Sequence, residues 1–245
     1  MFEILKGENL IILPTLDKEK YSLIYIDPPF NTGKTQKRGD IKYADQFDDL
    51  PSYLKPRLEL AYSLLTRNGS LFLHLDYREV HYCKILCDQI FGRSSFINEI
   101  IWAYDYGGRS KRRWSAKHDN ILWYAKDPKN YIFNYPDMDR IPYMAPGLVG
   151  KEKAALGKTP TDVWWNTIVP TNGKEKTGYP TQKPIAILNR IVKIHSNTND
   201  WVLDFFAGSG TTGQAALNNN RNCTLIDSSA DAIKVMEKRL NVQTK

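Results

Sequence analysis

The sequence predicts an α/β fold built on a mostly parallel sheet, and three observations carry that prediction. Strand-like apolar runs alternate with helical periodicity along most of the 245 residues, the pattern of a parallel sheet covered on both faces. One apolar run, Leu23-Ile24-Tyr25-Ile26, ends on Asp27-Pro28-Pro29-Phe30. Another, Val202-Leu203-Asp204-Phe205-Phe206, enters a glycine turn, Ala207-Gly208-Ser209-Gly210, ahead of a helix start at Thr211-Thr212.

Taken in order, residues 23–26 form the first clear strand. A polar loop over 31–50 follows, too long to be a mere connector. Leu58, Ala61, Tyr62 and Leu65 repeat at helical spacing, with Pro56 at the helix start and Asn68-Gly69 closing it. Residues 70–75 read as a strand and 78–91 as a helix. Residues 97–104 and 120–125 read as two strands joined by a basic loop, an antiparallel pair at one edge. From 126 to 177 the pattern dissolves into Pro, Gly, Lys and aromatics, which marks an inserted, irregular segment. Pro184 opens a helix with Ile187, Leu188, Ile191 and Val192 on its apolar side. A strand over 201–206, a helix over 211–218, a strand over 223–227 and a helix over 229–240 complete the chain, which has no internal repeat.

Length suits one α/β domain with an insertion, or one and a half domains, and 42% hydrophobic residues can bury a full core. No leader pattern or 18-residue apolar run is present, so a cytoplasmic protein without a membrane span is expected. Three cysteines give no disulfide framework. Cys83 and Cys87, four apart on a helix, read as packed thiols, and His74, His81, His118 and His195 lack ligand spacing, so no metal is expected. The net charge of +7 favours an anionic partner. Residues 31–42 carry +3 of it and residues 105–118 carry +4, so two loops hold the whole excess.

Both strand-end motifs have chemical content. Two prolines rigidify the backbone after Asp27 and leave only the Phe30 N–H in the last three positions. The fixed carbonyl acceptors, the carboxylate and the ring suit gripping an exocyclic NH2 group and stacking a flat base. Alternatively the motif is a strand-ending turn with an aromatic plug. Downstream, Gly208-Ser209-Gly210-Thr211-Thr212-Gly213 matches G-x-G-x-x-G, and Asp227 at the end of the next strand can accept from both hydroxyls of a ribose. A nicotinamide dehydrogenase would share that fingerprint. Only 18 residues follow Asp227, however, so the strands that complete a nucleotide-binding sheet must come earlier, in a permuted order. A third reading makes the glycines a core turn, against which stand the acidic residues before and after them.

These residues resemble the β class of S-adenosylmethionine-dependent amino methyltransferases of DNA. Asp27-Pro28-Pro29-Phe30 is similar to the [DNS]-P-P-[YFW] catalytic motif, and residues 204–212 to the cofactor motif, in the β-class order with a variable segment between. Tyr179-Pro180-Thr181-Gln182-Lys183-Pro184, residues 68–76 and Ile100-Ile101-Trp102 resemble flanking family segments. The resemblance implies a Rossmann-like methyltransferase fold: mostly parallel, with an antiparallel edge strand, circularly permuted motif order and an inserted irregular segment. It divides the chain into a catalytic half (1–126), a target-recognition insertion (127–177) and a cofactor-binding half (178–245). It implies that Asp27, Pro28, Pro29 and Phe30 are catalytic. It further implies that Glu8, Asp27, Thr181, Lys183, Asp204, Phe206, Ala207, Gly208, Ser209, Gly210, Thr211, Thr212, Asp227 and Ser228 hold S-adenosylmethionine. Glu8 stands where the family often has Asp, facing the cofactor's adenine, and Asp227 stands where Glu is common at the ribose.

The function so implied is site-specific transfer of methyl to N6 of an adenine flipped out of double-stranded DNA. Methylation at carbon 5 of cytosine would need a Pro-Cys pair, whereas Cys83, Cys87 and Cys223 follow Tyr82, Leu86 and Asn222. Asp with Phe in the motif resembles adenine enzymes, and N4-cytosine members more often begin with Ser. The alternatives are an N4-cytosine enzyme, an RNA amino methyltransferase and a non-catalytic nucleic-acid-binding subunit. The resemblance also implies a homodimer and a cognate restriction endonuclease as partners.

Nucleic-acid contacts are expected from Arg109, Lys111, Arg112, Arg113 and Lys117, which with the stacking candidate Trp114 occupy a glycine-bearing loop. Lys34, Lys37 and Arg38 join them from residues 31–40, read as a mobile lid; a solvated surface hairpin is the competing reading. Trp164 and Trp165 either serve sequence reading in the insertion or anchor it to the core.

Overall fold

Strand β2 (Tyr21–Ile26) is buried along its whole length, as an apolar run must be when both faces of a parallel sheet are covered. The computed structural model of the protein describes residues 1–38, 41–170 and 172–244. Before β2 come β1 (Phe2–Lys6) and a one-turn helix, α1 (Asn9–Ile12). After it come β3 (Lys34–Arg38), β4 (Ile41–Asp45), α2 (Leu50–Leu64), β5 (Leu65–Leu75), α3 (Val80–Phe91), β6 (Phe96–Ala103) and β7 (His118–Ala125). The chain continues through α4 (Lys151–Leu156), β8 (Val163–Trp165), α5 (Ile185–His195), β9 (Trp201–Asp204), α6 (Thr211–Asn218), β10 (Asn222–Asp227) and α7 (Ala230–Leu240).

Eight strands form one sheet in the order β1-β10-β9-β2-β5-β7-β6-β8, and β3 and β4 form a separate antiparallel pair. All described pairings in the large sheet are parallel except those of β7, which runs against both β5 and β6. The mostly parallel sheet is therefore as predicted. Its antiparallel member stands two places in from the rim, because β8 adds a short parallel strand outside β6. Alternation along β2 divides the core. Leu23 and Tyr25 join the cluster under α5, α6 and α7, and Ile24 and Ile26 join the one under α2 and α3.

Several elements depart from the sequence reading, each for a local reason. Helix α2 begins at Leu50, six residues before Pro56. Asp49 caps it by accepting from the Ser52 N–H at 3.3 Å, and burial of Leu50, Leu54, Leu58 and Ala61 on one face carries the helix across the proline. Asn68-Gly69 does not close that helix. It lies inside β5, where pairing jumps from Tyr21↔Leu65 to Leu23↔Ser70, so the turn signal makes an irregularity in the ladder. Residues 31–50 are not a plain loop but carry the β3–β4 hairpin. Buried Asp45 fastens its root, accepting from the Asn31 N–H at 2.7 Å, while the Gly33 N–H reaches the Asp45 carbonyl at 2.9 Å. Gly39 and Asp40 of the expected lid, and the Arg38 side chain, lie outside the described residues. The insertion is not wholly irregular, since it supplies α4 and β8. Cys83, Cys87 and Cys223 are buried, unpaired thiols. No helix among the described residues is long and apolar enough to cross a membrane.

Candidate active site

Strands β2 and β9 are parallel neighbours, but the chain leaves them in opposite directions. From β2 it passes through α2 to β5 on one side; from β9 it passes through α6 to β10 on the other. The carboxyl ends of such a diverging pair open a crevice, the position where open parallel sheets bind ligands. Here the crevice is a cavity of ≈ 260 Å³. The Asp27 motif enters it from β2 and the glycine turn from β9. Of the fourteen expected cofactor residues, all but Gly210 line its wall, together with Pro29 from the catalytic motif.

The turn is shaped by backbone freedom and close approach. Gly208 and Gly210 have φ of +49° and +70°, a region that side chains resist. A Cβ on Gly210 would sit 2.8 Å from Met236 Cγ, and one on Gly213 would sit 2.6 Å from Leu225 Cδ1. Gly210 thus holds its place by packing beneath the cavity. Asp204, at the end of β9, is buried and accepts from the Thr212 hydroxyl at 2.6 Å and the Phe206 N–H at 3.0 Å. Burial pushes its carboxyl up to about 7 despite those bonds. Asp227, at the end of β10, accepts from the N–H groups of Gly208 (2.8 Å) and Ser229 (2.9 Å), and burial raises it too.

Across the cavity, Asp27 takes both its carboxylate oxygens to one partner. Lys183 Nζ donates to them at 2.7 and 2.6 Å and stands 4.7 Å from the centre of the Phe30 ring. The pair is drawn together from positions 156 apart in the chain. Pro28 is buried and Phe30 half-buried against the core. Thr211 and Ser209 are bridged by Arg239, whose guanidinium reaches the Thr211 hydroxyl at 2.9 Å and the Ser209 carbonyl at 3.2 Å.

The remaining wall joins the expected Phe206 and Glu8 to Phe47 and Tyr53, which the sequence reading missed. Phe47, Tyr53 and Phe206 form an aromatic series, with ring centres 4.6 Å apart for the first pair and 6.4 Å for the second. Buried Arg57 organises this corner. It donates to Glu8 at 2.6 Å, to Asn9 Oδ1 at 2.7 Å and to the Tyr53 carbonyl at 2.6 Å. Glu8 thus reaches the cavity wall with its carboxylate already paired to a cation. Asn9, Tyr25, Tyr179 and Gln182 also line the cavity. None stood out locally, because each is placed by contacts distant in sequence; an earlier start for α2 would have brought Tyr53 and Arg57 into view.

The basic loop lies apart from this cavity. Trp114 is 99% exposed. Lys117 Nζ donates to the carbonyls of Tyr106 and Gly108, and Arg109 pairs with Asp105. Lys111, Arg112 and Arg113 are exposed, and Arg113 and Lys117 border a second depression with Arg78 and Tyr104. Lys34 and Lys37 are exposed on β3. The two tryptophans of the insertion differ in burial. Trp164 is buried under the Arg190 guanidinium, while Trp165 is 76% exposed.

Comparison with known proteins agrees with this architecture. A family model described as DNA methylase matches residues 21–238. The type II methyltransferase M.HpaI of Haemophilus parainfluenzae is 31% identical over 229 residues, covering 94% of this chain and 71% of that protein. The DNA adenine methyltransferase YhdJ of Escherichia coli (strain K12) is 31% identical over 252 residues, covering 98% and 82%. Among solved structures, the M1.HpyAVI–SAM complex superposes with a TM-score of 0.69 at 26% identity, covering 99% of this chain and all of that one. The cytosine-N4-specific PvuII DNA methyltransferase shares the fold, with a TM-score of 0.71 at 15% identity and coverage of 99% and 94%. The chain belongs to the DNA methylase family of the N6-adenine and N4-cytosine type.

Proposed function

We propose that this protein is a site-specific DNA adenine N6-methyltransferase that uses S-adenosylmethionine. The observation that carries the reading is the meeting of Asp27-Pro28-Pro29-Phe30 and the glycine turn on adjacent strands, at the point where the sheet changes direction. The cavity suits a nucleoside bearing an amino acid. Asp227 offers acceptors for a ribose, the Phe47–Tyr53–Phe206 series offers faces for a purine, and Asp204 offers a carboxylate to a cation. When bound, S-adenosylmethionine supplies an electrophilic methyl group on a sulfonium.

The chain's own residues prepare the acceptor. An exocyclic amine is a poor nucleophile because its lone pair is delocalised into the base. Hydrogen bonds from the NH2 group to the Asp27 carboxylate and the Pro28 carbonyl favour a tetrahedral nitrogen and localise that pair. They also stabilise the positive charge that grows there, a preorganised electrostatic effect, while Phe30 stacks the base in place. Lys183 holds both Asp27 oxygens, so the amine enters by exchange with the ammonium. Asp at the head of the motif and the adenine specificity named for YhdJ favour adenine over cytosine.

In this reading residues 1–126 supply the acceptor side, 178–245 the cofactor side and 127–177 target recognition, with exposed Trp165 as its candidate contact. Lys34, Lys37, Arg38, Lys111, Arg112, Arg113 and Trp114 engage double-stranded DNA, with the β3–β4 hairpin as a lid. Homodimerisation, a cognate restriction endonuclease and a cytoplasmic location are proposed on the resemblance alone. The test is mass spectrometry of nucleosides from unmethylated genomic DNA incubated with protein and S-adenosylmethionine. N6-methyladenine is expected, and it should vanish in Asp27→Ala. N4-methylcytosine would move the assignment to cytosine, and full activity of Asp27→Ala would refute the role of the motif.

A further inference from the structure

Behind Phe30 lies a row of buried polar groups that the proposed reaction leaves unused. The Tyr25 hydroxyl stands 2.7 Å from His74 Nδ1, and His74 Nε2 stands 3.2 Å from Asp119 Oδ2. The Tyr104 hydroxyl donates to Asp119 Oδ1 at 2.9 Å. These residues come from β2, β5, β7 and the position just after β6, so the row crosses four neighbouring strands near their site-bearing ends. His74 is completely buried and Asp119 nearly so. Burying such groups costs free energy that apolar side chains would not, and here each has a partner.

A proton inventory orients the row. Burial pushes the Asp119 carboxyl up, but the hydrogen bonds it accepts from His74 and Tyr104 and the nearby charge of Lys183 outweigh it and hold it below the usual range. An ionised Asp119 can only accept, so His74 donates from Nε2, and in the neutral ring this leaves Nδ1 as the acceptor facing the Tyr25 hydroxyl. Burial lifts the Tyr25 phenol far above its ordinary value, so its O–H remains and donates to Nδ1. With that proton committed to Nδ1, the Tyr25 oxygen keeps acceptor capacity alone. Tyr25 lines that cavity and shares a strand face with Asp27, two residues on. The His74 ring lies 5.8 Å from the Phe30 ring at 32° and meets Trp102 edge-on at 5.6 Å. At its far end the row reaches both roots of the basic loop. Tyr104 is one root, its N–H bonded to the Lys117 carbonyl at 2.9 Å, and Asp119 begins just beyond the other.

We propose that His74 and Asp119 are positioning residues for methyl transfer. Asp119 locks His74 in its Nε2–H form, which aims the Tyr25 hydroxyl and backs Phe30, and the row joins this alignment to the roots of the loop that meets DNA. This deepens the proposed methyltransferase reading and rests on it.

The decisive variant is Asp119→Asn, whose amide can donate to Nε2 and drive the His74 proton onto Nδ1. Imidazole ¹⁵N resonances of the wild type should report Nε2–H with Nδ1 as acceptor, and the variant should reverse or mix them. Single-turnover methylation of unmethylated genomic DNA should slow about 10- to 100-fold, with S-adenosylmethionine affinity within about twofold. Tyr25→Phe should slow it similarly, and the double variant should be no more than about threefold slower than the slower single one, because both act through His74. Wild-type His74 protonated on Nδ1, full activity of Asp119→Asn or additive losses would each overturn the proposal. If Asp119→Asn fails to fold, the wild-type ¹⁵N resonances and the Tyr25→Phe rate judge the proposal: Nδ1–H in the wild type or full activity of Tyr25→Phe would overturn it. A wild type that methylates no base would sink the methyltransferase reading; the ¹⁵N result would still judge the tautomer lock.

Discussion

Replacing Asp204 with Asn should remove a loss of stability that the protein suffers as pH rises toward neutrality, even though the residue lines the proposed cofactor cavity. Asp204 is 3% exposed, and burial pushes its carboxyl up to about 7 from an ordinary 3.8, against the hydrogen bonds of Thr212 and the Phe206 N–H. The direction follows from proton counting. Between pH 3.8 and about 7 the folded protein keeps a proton that the unfolded chain releases, so stability falls as pH rises through that window. At about 1.4 kcal/mol per pH unit, the loss approaches about 4 kcal/mol and is complete above pH 7. The amide of the Asp204→Asn variant cannot ionise, so this loss disappears there. His195 has the opposite effect. Burial lowers its imidazole from 6.5 to about 3, so it adds stability as pH rises through that range. Both proteins share that contribution, and it cancels in their difference. The assay is urea unfolding of the cofactor-free proteins from pH 4.5 to pH 8.5. The stability difference should move in the variant's favour by about 3 kcal/mol across the range, and a difference independent of pH would refute the reasoning. A cationic ligand entering the cavity would favour the ionised form.

Two further outcomes follow from the geometry. Gly210→Ala should lower unfolding stability by about 2–4 kcal/mol in urea titrations, because it combines φ of +70° with a Cβ 2.8 Å from Met236; an unchanged midpoint would refute the packing argument. Arg112→Ala with Arg113→Ala should weaken binding to any DNA sequence and reduce the salt dependence by about one to two counterions, measured by fluorescence anisotropy across a salt series; an unchanged slope would exclude these exposed arginines from phosphate contact.

Local signals carried the sequence reading a long way where they were self-contained. The glycine turn with its flanking strand and helix is legible because φ above zero and close helix approach demand glycine at fixed offsets, and the structure has α6 spanning the expected Thr211–Asn218. Asp27-Pro28-Pro29-Phe30 is legible for the same reason, since two prolines and a carboxylate after an apolar run dictate their own geometry. Punctuation misled where tertiary burial overrode it. Pro56 sits within α2 because the leucines on either side are buried together, and Asn68-Gly69 bends a strand in place of ending a helix. Polar residues of the 31–50 segment hid a hairpin whose pairing needs Asp45 at its root.

The residues by themselves determined the alternation of strands and helices, the permuted order of the two motifs and the chemistry each could offer, since these depend on spacings of a few residues. Only the tertiary structure decided that β2 and β9 lie side by side, that Lys183 grips Asp27 across 156 positions, and that Arg57 ties Glu8 to Tyr53. It also decided that Tyr25, His74, Asp119 and Tyr104 form one buried row. The physical reason is range: hydrogen bonds and ion pairs act over about 3 Å, and which distant residues come that close is set by sheet order and register.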